Sequence, residues 1–278
     1  MNISNEIKAG HILAGDNYSP KQIARWYSEE KEAFFSFDNG NSINDPHDAY
    51  LRSLTCKLAA TAIHRDDSLQ RTVLVLGPGT GLEMDSILQY DKSLKIIFVE
   101  ASENFRSNLL VKFPKSTVLS PKESGELTLE PDSVDLILAL SVLHHIPNVS
   151  FLLQEVARVL KSDGYAIIRE PCSSMGDWRI PRGLTPNERG IPKIWMLRTA
   201  KNFQLKPVRR PVPVIFNPLS RLIKKLKCGW LMSTKVYFFL DIFASQLVAC
   251  NDHYWRDAWY KKIGPSAYFY VFRKQPIN

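Results

Sequence analysis

The chain has 278 residues, 45% of them hydrophobic, and a formal net charge of +8 at pH 7, which excludes a disordered or collagen-like polymer and allows one large domain or a core with additions. No basic N-terminal stretch precedes an apolar one, and no run reaches the roughly 18 uncharged apolar residues of a spanning helix, so a soluble, intracellular protein is expected. Charge is unevenly placed: residues 1–170 carry 17 Lys and Arg against 23 Asp and Glu, whereas residues 171–278 carry 19 against 5, a field suited to nucleic acid, an anionic membrane surface or a phosphorylated substrate.

In chain order, Ser19–Phe37 opens with a capping Ser and a Pro at the first helical position, then places Ile23, Trp26, Tyr27, Phe34 and Phe35 at helical intervals. Asp48–His64 repeats the signal with Leu51, Leu54, Leu58, Ala59 and Ile63 on one face. The pattern then alternates as strand Val73–Leu76, helix Glu83–Tyr90, strand Lys95–Glu100, helix Phe105–Lys112, strand Val134–Ala139, helix Val149–Leu160, a stop at Gly164 and strand Tyr165–Arg169. Strands alternating with helices imply a parallel sheet, and their continuous apolar runs imply helices on both faces. Beyond Pro171 come a polar loop to Pro192, a helix Lys193–Phe203, a Pro-interrupted extended stretch Leu205–Phe216, a helical stretch Ser220–Ala249 and a last strand Ala267–Arg273. We expect a doubly wound, seven-stranded α/β sheet divided into an N-terminal helical cap (1–70), a cofactor-binding core (71–216), a helical lid insertion (217–262) and a closing strand (263–278).

The run Val73-Leu-Val-Leu-Gly77-Pro-Gly79-Thr-Gly81-Leu82 puts three glycines at the end of the first strand, where an open α/β sheet binds its ligands. The spacing is G-x-G-x-G. Leu82 stands where a dinucleotide-binding loop requires its third glycine, and no Lys-Ser/Thr pair follows to make a P-loop. Strand two ends at Glu100, about 20 residues on, where a carboxylate can accept both ribose hydroxyl protons.

Further motifs follow in register: Ser133-Val134-Asp135 before a strand, Leu143-His144-His145 after it, and Glu155-Val-Ala-Arg158-Val-Leu160-Lys-Ser-Asp-Gly164. With these, residues 73–170 resemble the core of the class I S-adenosylmethionine-dependent methyltransferases. The resemblance implies that family's sheet and its methyl donor, with Gly77, Gly79, Gly81, Glu100, Ala101 and Leu140 around the cofactor. Relatives often show Gly-Asp-Ala after strand three, with the Asp near the adenine amine; this sequence reads Pro121-Lys122-Glu123-Ser124 there. Glu123 is the candidate by counting back from Asp135, and a shift of one residue would choose Ser124. Asp135 begins a strand and is assigned to structure.

A hydroxyl acceptor must lose a proton, and His144 and His145 follow strand four at the expected cofactor rim, with imidazoles that titrate near neutrality. One of the two is expected to act as base, the sequence leaving open which; a structural histidine shaping the pocket is the alternative. After Glu170, the loop from Ser174 to Pro192 carries Trp178, Arg179, Arg182 and Arg189 among prolines, a set suited to a phosphate or polyol, unless its arginines pair with Asp177 and Glu188. The loop resembles that of methyltransferases associated with bacterial surface-glycan synthesis, which implies a sugar-like acceptor.

The expected function is O-methylation of a small anionic or polyhydroxylated acceptor, with N-methylation open. An RNA methyltransferase is the alternative raised by the basic half, opposed by the absence of a recognisable RNA module. A scaffold that binds cofactor without turnover is the second. Arg221-Leu-Ile-Lys224-Lys225-Leu-Lys227 separates cations from Leu222, Ile223 and Leu226 on a helix that either lies on the inner membrane surface or packs as a lid. Tyr237, Phe238, Phe239, Ile242 and Phe243 have core-like spacing, and His253, Tyr254, Trp255 and Trp259 offer walls for a ring. Cys56, Cys172, Cys228 and Cys250 lie far apart without ligand spacing, so no metal and no disulfide framework are expected.

Overall fold

The computed structural model describes residues 3–37, 47–63, 70–89, 91–174, 187 and 189–276. A short helix α1 (Asn5–Lys8) precedes α2 (Pro20–Phe37) and α3 (Asp48–Ile63). At the start of α2 the Gln22 side chain reaches back to accept from both the Ser19 N–H (3.0 Å) and the Ser19 hydroxyl (2.8 Å), one half of a capping box at the point where the helix begins.

The alternating segment folds as β1 (Thr72–Leu76), α4 (Leu82–Ile87), β2 (Lys95–Val99), α5 (Glu103–Lys112), β3 (Thr117–Leu119), β4 (Val134–Leu140), α6 (Val149–Val159) and β5 (Leu160–Pro171). Then come α7 (Lys193–Asn202), β6 (Leu205–Pro207), β7 (Val212–Val214), α8 (Asn217–Lys225), α9 (Lys235–Leu247) and β8 (Ala267–Lys274). Strand order is β3-β2-β1-β4-β5-β8-β6, with β7 also on β8. The first five strands pair in parallel, and β8 runs antiparallel to β5, β6 and β7. The Pro-interrupted stretch thus forms two short strands against the two ends of β8, which makes the sheet eight-stranded.

Successive residues of β1 feed opposite layers. Leu74 and Leu76 pack with Leu153, Val156, Trp195 and Met196 under α6 and α7. Val73 and Val75 pack with Leu58, Met84 and Ile87 under α3 and α4. A strand buried on both sides needs apolar residues at every position, which is why its sequence shows no alternation.

Three segments differ from their sequence signals. The helix after the glycines ends at Ile87, short of Tyr90. Gly164 lies within a strand: Leu160 pairs with Val134 and Tyr165 with Leu136, so residues 161–164 bulge out with Asp163 at φ 66°. The stretch 220–249 is two helices, broken where Lys227 turns left-handed (φ 58°) and restarted where the Thr234 hydroxyl accepts from Tyr237 N–H. In α9, Tyr237, Asp241 and Ser245 face inward, Phe238 and Ile242 are half-buried, and Phe239 and Phe243 are exposed. The spacing predicted a core helix; Tyr237, Phe238 and Ile242 do pack on the core, whereas Phe239 and Phe243 face outward and Asp241 takes a place on the inner face.

Candidate active site

The turn after β1 is built on left-handed glycines. Gly77 (φ 57°) meets the loop after β4 so closely that a Cβ would lie 2.4 Å from Val142 Cγ2. A Cβ at Gly79 (φ 53°) would meet nothing, so the backbone there borders open space. Gly81 packs on Leu109 and Phe113. Leu76, Gly77, Gly79, Leu82, Leu140 and Arg52, the last from α3, bound a cleft of about 210 Å³.

Glu100, buried at the end of β2, accepts from Gly79 N–H at 3.0 Å through Oε2 and from Ser102 N–H at 2.9 Å through Oε1. Each oxygen keeps a lone pair for a diol. Burial raises its pKa above the ordinary glutamate value, against the lowering effect of these N–H groups and Arg106. Ala101 is exposed, and its carbonyl accepts from Arg106 Nη1. Glu123 and Ser124 are exposed after β3; the Ser124 hydroxyl accepts from Glu126 N–H. Glu123 lies within electrostatic reach of Tyr27 on α2, whose phenol is pushed up to about 12 chiefly by burial and secondarily by that carboxylate. Open space at Gly79 with a buried carboxylate beside it fits a ribose-bearing cofactor.

The Gly77–Val142 contact anchors the turn that carries the histidines. His144 Nδ1 donates to Glu170 Oε2 at 2.7 Å, and the fully buried Glu170 also accepts from the N–H groups of Val142, Leu143 and His144. With that many donors on the carboxylate, the shared proton belongs to Nδ1, so that in the neutral ring Nε2 is the atom with the lone pair. His145 Nδ1 donates to Glu30 Oε2 at 3.0 Å, and its carbonyl accepts from Trp26 Nε1 at 2.8 Å. The two rings are 3.9 Å apart. Burial, and then the neighbouring His144, hold the His145 pKa below the ordinary imidazole value.

Trp178, Arg179 and Arg182 lie outside the described residues. Arg189 is buried, with its guanidinium 4.6 Å from the Trp26 ring centroid and Nη2 donating to the Ile146 carbonyl at 3.0 Å. Its Nε and Nη1 have no hydrogen-bond partner among the described residues. Asp16, Tyr18, Glu30 and Tyr254 act electrostatically on it, and burial pushes its pKa down. The structure therefore brings Arg189, which follows β5, against the turn that carries the histidine pair, with Tyr254 within electrostatic reach, whereas Trp259 stands exposed on the surface. Asp135 is structural, accepting from Thr72 N–H at 2.8 Å and from Lys161 at 2.9 Å. Sequence reasoning missed Glu30, Trp26 and Glu170, whose partners lie 26 or more residues away along the chain. The Glu170 carboxylate at the end of a strand was the one available signal.

Among the described residues no three His, Cys, Asp or Glu side chains converge as a metal site, and no helix is long and apolar enough to cross a membrane. Residues 74–168 match the family described as a methyltransferase domain. No curated protein matches the chain. Among solved structures, it is similar to the Burkholderia thailandensis 1,6-didemethyltoxoflavin-N1-methyltransferase, bound to 1,6-didemethyltoxoflavin and S-adenosylhomocysteine, with 15% identity, TM-score 0.57, and coverage of 95% of this chain and 94% of that one. A candidate sarcosine dimethylglycine methyltransferase from Galdieria sulphuraria gives 15% identity and TM-score 0.56 over 89% of this chain and 98% of that one. The cyclase SpnF gives 13% and 0.55 over 95% and 99%. At these identities the likeness speaks for the fold.

Proposed function

We propose that the chain, whose residues 74–168 match a methyltransferase domain, is a class I S-adenosylmethionine-dependent methyltransferase that O-methylates a small acceptor bearing an anionic or polyhydroxylated group. The observation that carries this reading is the turn after β4, where a histidine pair with carboxylate-oriented rings adjoins a buried guanidinium whose Nε and Nη1 have no hydrogen-bond partner among the described residues. Buried donors without partners are costly, which makes Arg189 a ready counterpart for a phosphate, carboxylate or sugar oxygen.

The cofactor supplies a methyl group already activated on a sulfonium, so the protein's task is alignment, water exclusion and proton removal. In this reading Glu100 accepts the ribose hydroxyls, Gly77, Gly79 and Gly81 admit the cofactor to the backbone, Leu140 and Ala101 line its bed, and Glu123 or Ser124 meets the adenine amine. Nε2 of His144 or His145 would take the proton of the acceptor hydroxyl. Glu170 and Glu30 are positioning residues that hold the rings. Arg189, with Trp178, Arg179 and Arg182 on the preceding loop, holds the acceptor.

The division into cap (1–70), core (71–216), lid insertion (217–262) and closing strand (263–278) belongs to the same reading, since α2 covers the histidines while β8 continues the sheet. So do a cytoplasmic setting and peripheral contact with the inner membrane surface. The test is S-adenosylhomocysteine release by purified protein offered nucleotide sugars, lipid-linked sugars, phenols and amines. Release with an anionic or polyol acceptor supports the proposal; release with amines alone overturns the O-methylation reading.

A further inference from the structure

Helix α9 buries a carboxylate and leaves a row of apolar side chains exposed. Its one carboxylate, Asp241, is fully buried and accepts from Tyr50 Oη at 2.7 Å and from the N–H groups of Ile215 and Phe216 at 2.9 Å. Tyr50 belongs to α3 and Ile215 follows β7, so these bonds fix which face of α9 meets the body of the protein. The face left outside is apolar: Val236, Leu240, Phe243 and Leu247 recur at intervals of four, three and four residues, and Phe239 beside them is 71% exposed. The Phe239 and Phe243 rings stack at 6.3 Å. Just upstream, Trp230 is 69% exposed, and α8 buries Ile223 while exposing Leu222 and Leu226. An apolar surface of this extent on a folded protein marks a place where something docks.

The charges around it say what. Residues 217–251 contain five cations, Arg221, Lys224, Lys225, Lys227 and Lys235, and Asp241 is their sole acid. All five cations are exposed. We propose that the α8–α9 face docks on an anionic lipid bilayer, with the phenylalanines, leucines and Trp230 entering the headgroup boundary and the cations meeting lipid phosphates. A second copy of the chain is the poorer occupant, because a twofold contact through this face would bring together the cations of both copies, with no exposed acid in 217–251 to offset them. The proposal deepens the membrane contact named above by giving it a surface, and it does not depend on which acceptor is methylated.

The test is flotation of the full-length protein with phosphatidylcholine vesicles and with vesicles containing about 30% phosphatidylglycerol, at low and high salt. The expected result is co-flotation with the anionic vesicles, weakened at least about tenfold by salt or by pure phosphatidylcholine. Phe239→Glu with Phe243→Glu should abolish it while Tm and the stabilisation by S-adenosylhomocysteine stay as in wild type; Phe239→Ala with Phe243→Ala, which keeps the helix former, should weaken it several-fold. Wild type left unbound by both vesicle types, or charged variants that still float, would overturn the proposal. So would a dimer in solution that those substitutions dissolve. A wild type that floats but methylates none of the acceptors offered would leave this surface standing and count against the acceptor reading alone.

Discussion

His144 and Glu170 form a closed unit: Nδ1 donates to Oε2 at 2.7 Å, and the same carboxylate accepts from three consecutive backbone N–H groups, including that of His144 itself. One buried side chain from β5 therefore shapes the turn after β4 and sets the tautomer of the ring on it. Glu170→Gln keeps an acceptor but turns an amide N–H₂ toward donors. It is expected to lower Tm, lower kcat and displace the acid limb of the pH–rate profile, with the Kd for S-adenosylhomocysteine unchanged. An unshifted pH profile at normal kcat would reduce Glu170 to a structural part.

Replacing the acting histidine, His144 or His145, with Ala should depress kcat by about 10² to 10⁴ while cofactor affinity changes little. Single-turnover rates and calorimetric titration of S-adenosylhomocysteine separate the two quantities. If both single variants keep activity within a few-fold, the acceptor proton leaves by another route.

The cofactor cleft makes its own prediction. S-adenosylmethionine and S-adenosylhomocysteine should raise Tm and NAD should not, because only a ligand that binds the native state stabilises it. Gly79→Val should remove that shift: the space its Cβ would enter is free of protein, and φ 53° is strained for a branched residue. Since burial raises the Glu100 pKa, its carboxylate takes up a proton at a higher pH than an ordinary glutamate. Cofactor affinity should therefore fall on acidification sooner than an unperturbed carboxylate allows, and Glu100→Gln should bind weakly with that pH dependence flattened.

His145 links pH to stability in the opposite sense from Glu100. Its folded pKa is depressed by burial and by His144, so on acidification the unfolded chain takes up this proton first. The stability linked to it is complete above the unfolded imidazole value and is lost as pH falls from there toward the folded value. Tm measured between about pH 5 and 8 should decline toward acid, and His145→Gln should flatten that slope. An identical slope in the variant would assign the decline to other groups.

Arg189→Ala is expected to raise the acceptor KM roughly tenfold or more through loss of a charge-assisted contact worth about 1.5–3 kcal/mol. Tm should fall too, because the guanidinium stacks on Trp26 and donates to the Ile146 carbonyl. Arg189→Lys, which keeps the charge and loses the planar fork, should recover less than full KM. A lowered Tm with unchanged KM would make the residue purely structural.

The parallel core was legible because each of its signals is local. Val73–Leu76 is apolar at every position because both faces are covered, the glycines of 77–81 follow it directly, and Glu100 ends the next strand. Such features depend on neighbours within one βα unit, so the order of residues determined them. The environment of the site was decided elsewhere. Glu30 meets His145 across 115 residues, and Trp26 meets the same residue across 119; nothing in helical periodicity says that α2 will lie over the turn after β4. Arg189 reads in sequence as a loop cation for a phosphate or polyol, or for an ion pair with Asp177 or Glu188, and nothing local says that packing against Trp26 buries it. Phe239 and Phe243 read as core, yet the tertiary structure turned them outward, because the Asp241 carboxylate took its donors, Tyr50 and the 215–216 backbone, from the interior. Periodicity determined that α9 has two faces, and the buried hydrogen bonds of Asp241 decided which one meets solvent.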